Sequence, residues 1–187
     1  MVLLIAGLLI WTAVHLFKRI KPETRAALDE KLGAGPTRGI ISLILLTSIV
    51  MMVFGFRSAE YRPIYAFGTW AIGINNLLML VVMFLLGAGS SKGITRQWIR
   101  HPMLVGTIIW AGAHLLVNGD LTSIILFGGI AIWADASIIA INIREGAWDR
   151  PTGGTIQGDR KTAVIALVVF VVVAAIHYFA GRSPFPY

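Results

Sequence analysis

The stretch WIRHPMLVGTIIWAGAHLLVNGD, from Trp98 to Asp120, decides the fold class and carries most of the chemistry of the chain. It opens on Arg100, His101 and Pro102 and continues as an apolar run that contains a second imidazole, His114. Charged and imidazole side chains inside an apolar helix are costly in a membrane and usually mark a ligand or an ion path. We therefore expect the other apolar segments to form the walls around this one.

The composition indicates an integral membrane protein. Of the 187 residues, 57% are hydrophobic and 13% are charged, and the mean hydropathy is +0.79, whereas a soluble domain carries about 25% charged residues. There is no cysteine, which excludes a disulfide framework, a thiolate metal site and a cysteine nucleophile. The net charge of +7 comes from bases in loops beside apolar segments, so we expect contact with anionic lipid and no nucleic-acid binding.

Six apolar stretches divide the chain, with no internal repeat or separate domain, so we predict one transmembrane domain over residues 1–187. No ten-residue alternating strands appear, and a backbone in lipid must satisfy its own hydrogen bonds, so the fold class is all-α, a bundle of about six transmembrane helices. A span needs about 20 residues, which makes the first and fourth stretches short. The stretches are Val2–Phe17, Gly39–Phe56, Ile64–Ala88, Pro102–Val117, Leu121–Ile143 and Thr162–Ala180.

The distribution of lysine and arginine predicts the orientation. The odd-numbered loops carry thirteen of these residues, whereas the even-numbered loops and the C-terminal tail carry three. Cytoplasmic loops are enriched in basic residues, so we predict a multi-pass protein of the inner membrane with both termini outside. The first stretch has no basic region before it and no small-residue cleavage site after it, so we expect a retained span rather than a signal peptide.

Two of the cytoplasmic loops have recognisable features. The first contains KPETRAALDEKLGAGP (21–36), in which Pro22 and Glu23 suit a first helical turn, so we predict a short helix at the membrane surface. The fifth contains DRPTGG (149–154), which could be mistaken for a phosphate-binding loop. It lacks the Gly-Lys-Ser/Thr ending of such loops, so we do not assign it that role.

All four histidines, His15, His101, His114 and His177, lie in or at the edge of apolar stretches. A single buried histidine is more often bonded to a neighbouring helix, but four of four favour a shared cofactor. Non-haem iron or zinc would need three ligands with carboxylate or thiolate help, and acids are few. Haem b needs only one or two axial histidines and an apolar pocket, so haem is the predicted cofactor. Arg100 is a candidate for binding a haem propionate.

Membrane depth constrains which histidines can share one iron. With both termini outside, His15 and His101 lie near the cytoplasmic ends of their spans. His114 is about 20 Å further along its helix, at a depth comparable to that of His177. Depth therefore pairs His15 with His101 and His114 with His177, and it argues against a pair formed by His15 and His114.

A few other polar residues lie at membrane depth. Asp135 is the one acid well within a span, so we expect it to face the bundle and either orient a ligand or relay protons; the alternative is a structural hydrogen bond, for example to Ser137. Asn118 is a second candidate for orienting a ligand. Asn75 and Asn76 are more typical of hydrogen bonds between helices. The six tryptophans could frame a porphyrin, although an interfacial belt is their commoner use.

The block RHPMLVGTIIWAGAHLLVNGD, together with His15, the WAD of residues 133–135 and the ending HYFAGRSPFPY, resembles the NnrU family over essentially the whole chain. The family name comes from bacterial denitrification loci. Its eukaryotic and cyanobacterial relative, the zeta-carotene isomerase, is a membrane protein that holds haem b on histidines and isomerises a cis double bond when the iron is reduced.

This resemblance implies His15 and His114 as the axial iron ligands, in conflict with the pairing by depth. His101 and His177 match other histidines of the family. The relative has a cysteine a few residues before the histidine that matches His114, whereas this chain has Trp110–Gly112 there. A ligand switch that depends on cysteine is therefore absent, which weighs against transfer of the isomerase activity.

The segment RHPMLVG is also similar to the start of the RHP motif of the isoprenylcysteine methyltransferase superfamily, which binds S-adenosylmethionine among membrane helices. Met103 and Leu104 stand where those enzymes have an aromatic residue, and only Arg144–Glu145 stands for their paired glutamates. The preferred hypothesis is a haem b protein of nitrogen-oxide or redox metabolism, or a haem-dependent isomerase of an apolar polyene, which would be its small-molecule substrate. The alternatives are a non-catalytic membrane factor that supports denitrification and, third, a methyltransferase.

Overall fold

The structure is a computed structural model that describes residues 1–185; Pro186 and Tyr187, which end the quoted C-terminal motif, lie outside the described residues. Within residues 1–185 the chain forms seven α-helices and one short 3-10 turn, and its β pairing is limited to two isolated bridges. The helices are α1 (Val2–Ile20), α2 (Pro22–Leu32), α3 (Ala34–Arg57), α4 (Trp70–Ala88), α5 (Pro102–Val117), α6 (Leu121–Glu145) and α7 (Ile156–Phe179). The all-α prediction is confirmed.

Local sequence signals account for several helix ends. Pro22 occupies the first position of α2, where its missing N–H costs nothing, and the helix predicted in the first loop is confirmed. The Asp120 carboxylate caps α6 by accepting a hydrogen bond from the backbone N–H of Ser123 at 3.0 Å. The Thr155 hydroxyl caps α7 by accepting from the backbone N–H of Gly158 at 3.0 Å.

Five of the helices, α1, α3, α4, α6 and α7, are long and apolar enough to cross a membrane. The chain is therefore a multi-pass membrane protein. The first span is longer than the sequence stretch indicated, because α1 continues through Lys18 and Arg19 to Ile20. The remaining apolar helix, α5, has 16 residues and a length of about 24 Å, short of the roughly 30 Å of hydrocarbon, as the sequence predicted.

The helices form two compact units, each built from separate parts of the chain: unit 1 is Met1–Ile64 with Asp120–Gly146, and unit 2 is Tyr65–Gly119 with Ala147–Tyr187. In unit 1, glycines let α1 and α3 approach closely. A Cβ on Gly55 would collide with the backbone of Leu4, and a Cβ on Gly7 would lie 2.8 Å from the carbonyl oxygen of Ser48. Small residues at such crossings maximise van der Waals contact, which holds membrane helices together.

The C-terminal ends of α1 and α6 are tied together in unit 1. Arg144 donates hydrogen bonds to the carbonyl oxygens of Lys18 at 3.0 Å and Arg19 at 3.2 Å. Arg19 in turn forms a 3.3 Å ion pair with Glu145. The first and fifth loops therefore begin at the same end of unit 1, as the alternating topology requires, and Arg144–Glu145 has a structural role there. Which side of the membrane this end faces stays a prediction.

Unit 2 contains α4, α5 and α7. Its small core consists of Met79, Val82 and Ala113, against which Trp110 and Phe170 pack. As in unit 1, glycines lie where helices contact each other. In unit 2, however, an added Cβ would meet side chains of the neighbouring helix rather than its backbone. A Cβ on Gly106 would lie 3.1 Å from the Leu85 Cβ, and one on Gly87 would lie 3.2 Å from a methyl of Thr162.

The third and fifth loops are joined in unit 2. Gly93 and Thr155 form an isolated bridge, and the Asp159 carboxylate accepts hydrogen bonds from the backbone N–H groups of Ile94 at 3.1 Å and Thr95 at 3.2 Å. Arg96 donates to the carbonyl oxygen of Thr152 at 3.1 Å. We call this set of contacts the loop clasp. The glycine-rich DRPTGG segment therefore lies against the third loop. This close packing explains its glycines, so no bound phosphate is needed to explain them.

Candidate functional site around the histidines

Two histidines occupy the same local arrangement, four residues after a tryptophan. Nδ1 of His15 lies 2.9 Å from the carbonyl oxygen of Trp11, and Nδ1 of His114 lies 2.9 Å from that of Trp110. A carbonyl oxygen can only accept, so Nδ1 carries the proton, and in a neutral imidazole the lone pair is then on Nε2. A hydrogen bond of this kind fixes the ring and prepares the other nitrogen to bind a metal.

In unit 1, His15 belongs to an aromatic cluster that also contains Trp11 and Trp133. The His15 ring centroid lies 4.1 Å from that of Trp11 and 4.8 Å from that of Trp133, and the two indoles are 5.2 Å apart. The N–H groups of both indoles are buried without a hydrogen-bond partner among the described residues. An unsatisfied buried donor costs about 1–3 kcal/mol, so two of them beside one imidazole indicate a site for a group that accepts hydrogen bonds.

In unit 2, His114 has a different environment. Its ring stacks on Trp110 at a centroid distance of 4.8 Å, and its neighbour Ala113 is buried against Met79 and Val82. His177 lies near the C-terminal end of α7, and its pairing with His114 by depth stays a prediction.

Each Trp-x-x-x-His turn lies beside the midpoint of a neighbouring helix, while the membrane depths expected for His15 and His114 stay predictions. Trp133, against which His15 packs, is the midpoint of α6. The His15 ring reaches this level because α1 continues to Ile20 and because helical side chains point toward the N-terminus. Met79, which contacts Ala113, is the midpoint of α4.

Beyond His114, α5 ends at Val117 and an irregular segment continues the chain. The Tyr65 hydroxyl donates a hydrogen bond to the carbonyl oxygen of Leu115 at 2.7 Å, and the Tyr65 N–H donates to that of Gly119 at 3.1 Å. The last carbonyl groups of α5 therefore find partners inside unit 2. The side-chain amide of Asn118 donates to the carbonyl oxygen of His114 at 2.9 Å, so Asn118 supports the helix turn that carries the histidine.

The remaining candidates lie apart from these two turns. His177 is exposed on α7, with Nδ1 2.8 Å from the carbonyl oxygen of Val173. Arg100 and His101 lie at the start of α5, about 20 Å along the helix axis from His114. The two ends of the RHP…NGD block are therefore separate, and propionate binding by Arg100 stays a prediction.

Asp135 does not face the packed side of α6, contrary to expectation. Its side chain is exposed, and it makes no hydrogen bond or ion pair with the described residues. Asp135 follows Trp133, which packs in the aromatic cluster, by two residues, and two residues turn the helix by about 200°. Ser137 bonds instead to the carbonyl oxygen of Trp133 at 2.8 Å. A role for Asp135 beside a ligand stays a prediction.

Within residues 1–185, no three histidine or acidic side chains come together in a group that could hold a metal ion. The donor sets on offer are single imidazoles with an oriented Nε2, together with aromatic and apolar surroundings. Such sites fit a cofactor that brings its own equatorial ligands and takes one or two axial histidines, as haem does.

Comparison with known proteins identifies the family. The family model described as NnrU protein matches residues 3–184, nearly the whole chain. The chain belongs to the NnrU family. No curated protein and no solved structure gave a match to this chain.

Sequence reasoning missed the Trp-x-x-x-His repeat, although the signal is present as WTAVH (11–15) and WAGAH (110–114). A search for long periodic repeats overlooks it, because only five residues recur. The buried indole donors of Trp11 and Trp133 had no sequence signal, since tryptophan in a membrane protein is usually interfacial.

Proposed function

We propose that this NnrU-family protein binds haem b, with His15 and His114 as the candidate ligands. The observation that carries the proposal is the Trp-x-x-x-His turn, which occurs twice and in both places holds the Nδ1 proton on a backbone carbonyl. This hydrogen bond selects the tautomer that ligates through Nε2 and fixes the ring before iron arrives. His177 shares the tautomer but is exposed.

The residues around His15 fit the proposed cofactor. Trp11 and Trp133 supply aromatic surroundings, with ring centroids 4.1 and 4.8 Å from that of the imidazole, and their unpartnered N–H groups would be satisfied by an oxygen of a bound group. Haem, when bound, supplies an iron that changes between the ferrous and ferric states and can donate electron density to an apolar ligand. The protein contributes imidazoles fixed by hydrogen bonds, in aromatic and apolar surroundings.

The biological role that we propose is redox chemistry in the membrane, in nitrogen-oxide metabolism or in haem-dependent isomerisation of an apolar polyene. Family membership supports a membrane protein of the NnrU type. The first of these roles rests on the resemblance described under the sequence analysis, in which the family name comes from denitrification loci. Trp110–Gly112 stands where the isomerase has its cysteine, so the isomerase role would have to proceed without a cysteine ligand.

The test is the absorption spectrum of the protein purified in detergent after expression with ample haem. We expect a Soret band that shifts on reduction, and its loss in the double variant His15→Ala/His114→Ala. The double variant His101→Ala/His177→Ala is the matched control and should keep the band. A wild-type protein without a Soret band would contradict the proposal and favour a non-catalytic membrane factor, which should then co-purify with a partner protein.

A further inference from the structure

Unit 1 contains an apolar groove between α1, α2 and α3. The groove has a volume of about 340 Å³, within the range of small-molecule sites. Its one polar lining residue, Thr37, donates its hydroxyl hydrogen bond to the carbonyl oxygens of Leu28 and Gly33, at 3.2 and 2.8 Å. The groove therefore offers little to water and suits hydrocarbon. It is lined by Ala13, Val14, Phe17, Leu28, Leu32, Thr37, Ile40, Ile41 and Ile44.

Each of the three helices places an exposed cation next to a lining residue: Lys18 follows Phe17 on α1, Lys31 precedes Leu32 on α2, and Arg38 follows Thr37 on α3. None of these three cations has an ion pair within the described residues, whereas Arg25 pairs with Asp29 and Arg19 with Glu145. Between residues 18 and 38, the charged side chains without an ion pair also include Lys21, Glu23 and Glu30. The net charge of these unpaired side chains is therefore positive.

A more open and more polar depression of about 560 Å³ shares Leu28 with the groove and is lined also by Thr24, Ala27, Glu30 and Lys31. Apolar and polar surfaces therefore follow one another along α2. An amphiphile with a hydrocarbon chain and a negatively charged head matches this order, because chain burial is favourable and anions are attracted to clustered bases near a membrane surface.

We propose that the groove binds one acyl chain of an anionic phospholipid from the bilayer, with the phosphate held by Lys18, Lys31 and Arg38. The groove supplies the contact with the chain, and the three cations select the charge of the head. The short helix α2 then has a role of its own: Leu28 and Leu32 close the groove over the chain while Lys31 faces the head.

The experiment compares phosphatidylglycerol with phosphatidylcholine of identical chains, added to the full-length protein in detergent and measured by native mass spectrometry. Wild type should retain phosphatidylglycerol more tightly by at least about tenfold, as three basic contacts imply. Ile41→Trp fills the groove and should lower this retention by about tenfold. Leu43→Trp is the matched control, since Leu43 lies on the same helix, is 63% exposed and does not line the groove. Ala13→Phe fills the groove from α1 and should repeat the loss even where Ile41→Trp does not fold.

A second pair of variants distinguishes a specific lipid site from a general attraction of anionic lipid to basic side chains. Lys18→Gln/Lys31→Gln/Arg38→Gln should abolish the preference for phosphatidylglycerol. Lys92→Gln/Arg160→Gln/Lys161→Gln removes the same charge from exposed positions of unit 2 and should leave the preference unchanged. Equal losses in both triple variants, or equal binding by Ile41→Trp and Leu43→Trp, would overturn the proposal.

Discussion

The two units contain the same Trp-x-x-x-His turn in different surroundings. In unit 1, His15 packs against two indoles whose buried N–H groups have no partner among residues 1–185. In unit 2, His114 packs against a single indole, that of Trp110, and adjoins the small apolar core around Met79. The five-residue turn therefore determines the tautomer and the ring orientation, while the neighbouring helices determine what the imidazole meets.

The largest effect that tests this comparison is loss of haem from single histidine variants. His15→Ala and His114→Ala should each lower haem affinity by more than about 100-fold. Loss of a residue that only hydrogen-bonds a metal ligand already costs about 10–100-fold in affinity, and loss of the ligand itself should cost more. His101→Ala and His177→Ala should retain haem. Titration of the apo proteins with haem, followed at the Soret band, measures all four. If His177→Ala loses as much as His114→Ala while His15→Ala binds normally, the iron lies in unit 2 and the pairing by depth is correct.

The next effect concerns the close helix contact in unit 1. Gly55→Ala places a methyl group against the backbone of Leu4, and we expect it to lower the free energy of unfolding by about 1–3 kcal/mol. Gly106→Ala in unit 2 should cost less, because its new methyl would meet the Leu85 side chain at 3.1 Å, which can shift. Thermal unfolding in detergent gives the order. Gly39→Ala, with nothing within 4 Å, is the control and should be neutral or stabilising.

A smaller effect is expected in the loop clasp of unit 2. Asp159→Ala leaves the partly buried N–H groups of Ile94 and Thr95 without their acceptor, at a cost of about 1 kcal/mol that is confined to the loops. Limited proteolysis should then cut the segment 89–101 faster while the spans stay intact. The exposed Asp149→Ala is the control and should be cut at the wild-type rate. Unchanged cleavage of Asp159→Ala would show that the clasp does not depend on this carboxylate.

The smallest effect distinguishes the two histidine environments most directly. Trp11→Phe/Trp133→Phe keeps aromatic packing around His15 but deletes the two unpartnered N–H groups. Without haem the variant should be as stable as wild type or more stable, because two unsatisfied donors are gone. With haem we expect an affinity loss of about 2–10-fold, as for one or two hydrogen bonds. Trp98→Phe, at a position 76% exposed, is the control. Full haem affinity in the double variant would mean that the indoles donate to something other than the cofactor.

Much of the fold was predictable because hydrophobic length is a strong signal in membrane proteins. Each of the six apolar stretches contains a helix, α5 is short, and Pro22 starts the helix predicted in the first loop. Residues 64–69 of the third stretch are not helical, so α4 begins later than predicted. The boundaries were less predictable: α1 extends through Lys18 and Arg19, since their long side chains let charged groups reach water from a helix end. The division into two units, each discontinuous in sequence, had no signal in composition.

The candidate site was predictable in its residue types and less so in its geometry. The sequence interpretation paired His114 with His177 and placed His15 and His114 toward span ends by counting residues along the helices, and these depths stay predictions. It also turned Asp135 inward, because an acid in an apolar stretch was assumed to avoid the surface.

The sequence by itself determined that the chain is a helical membrane protein and that WTAVH and WAGAH hold their imidazoles by a bond within one helical turn. These are local properties, set by apolar length and by the four-residue spacing of a helix. Only the tertiary structure decided that Trp133 comes to His15 from more than a hundred residues away, and that the indoles there are left with unsatisfied N–H groups. The stretch from Trp98 to Asp120 likewise became two separate ends because α5 keeps them about 20 Å apart, while the fold places Ala113, beside His114, against Met79 at the midpoint of α4.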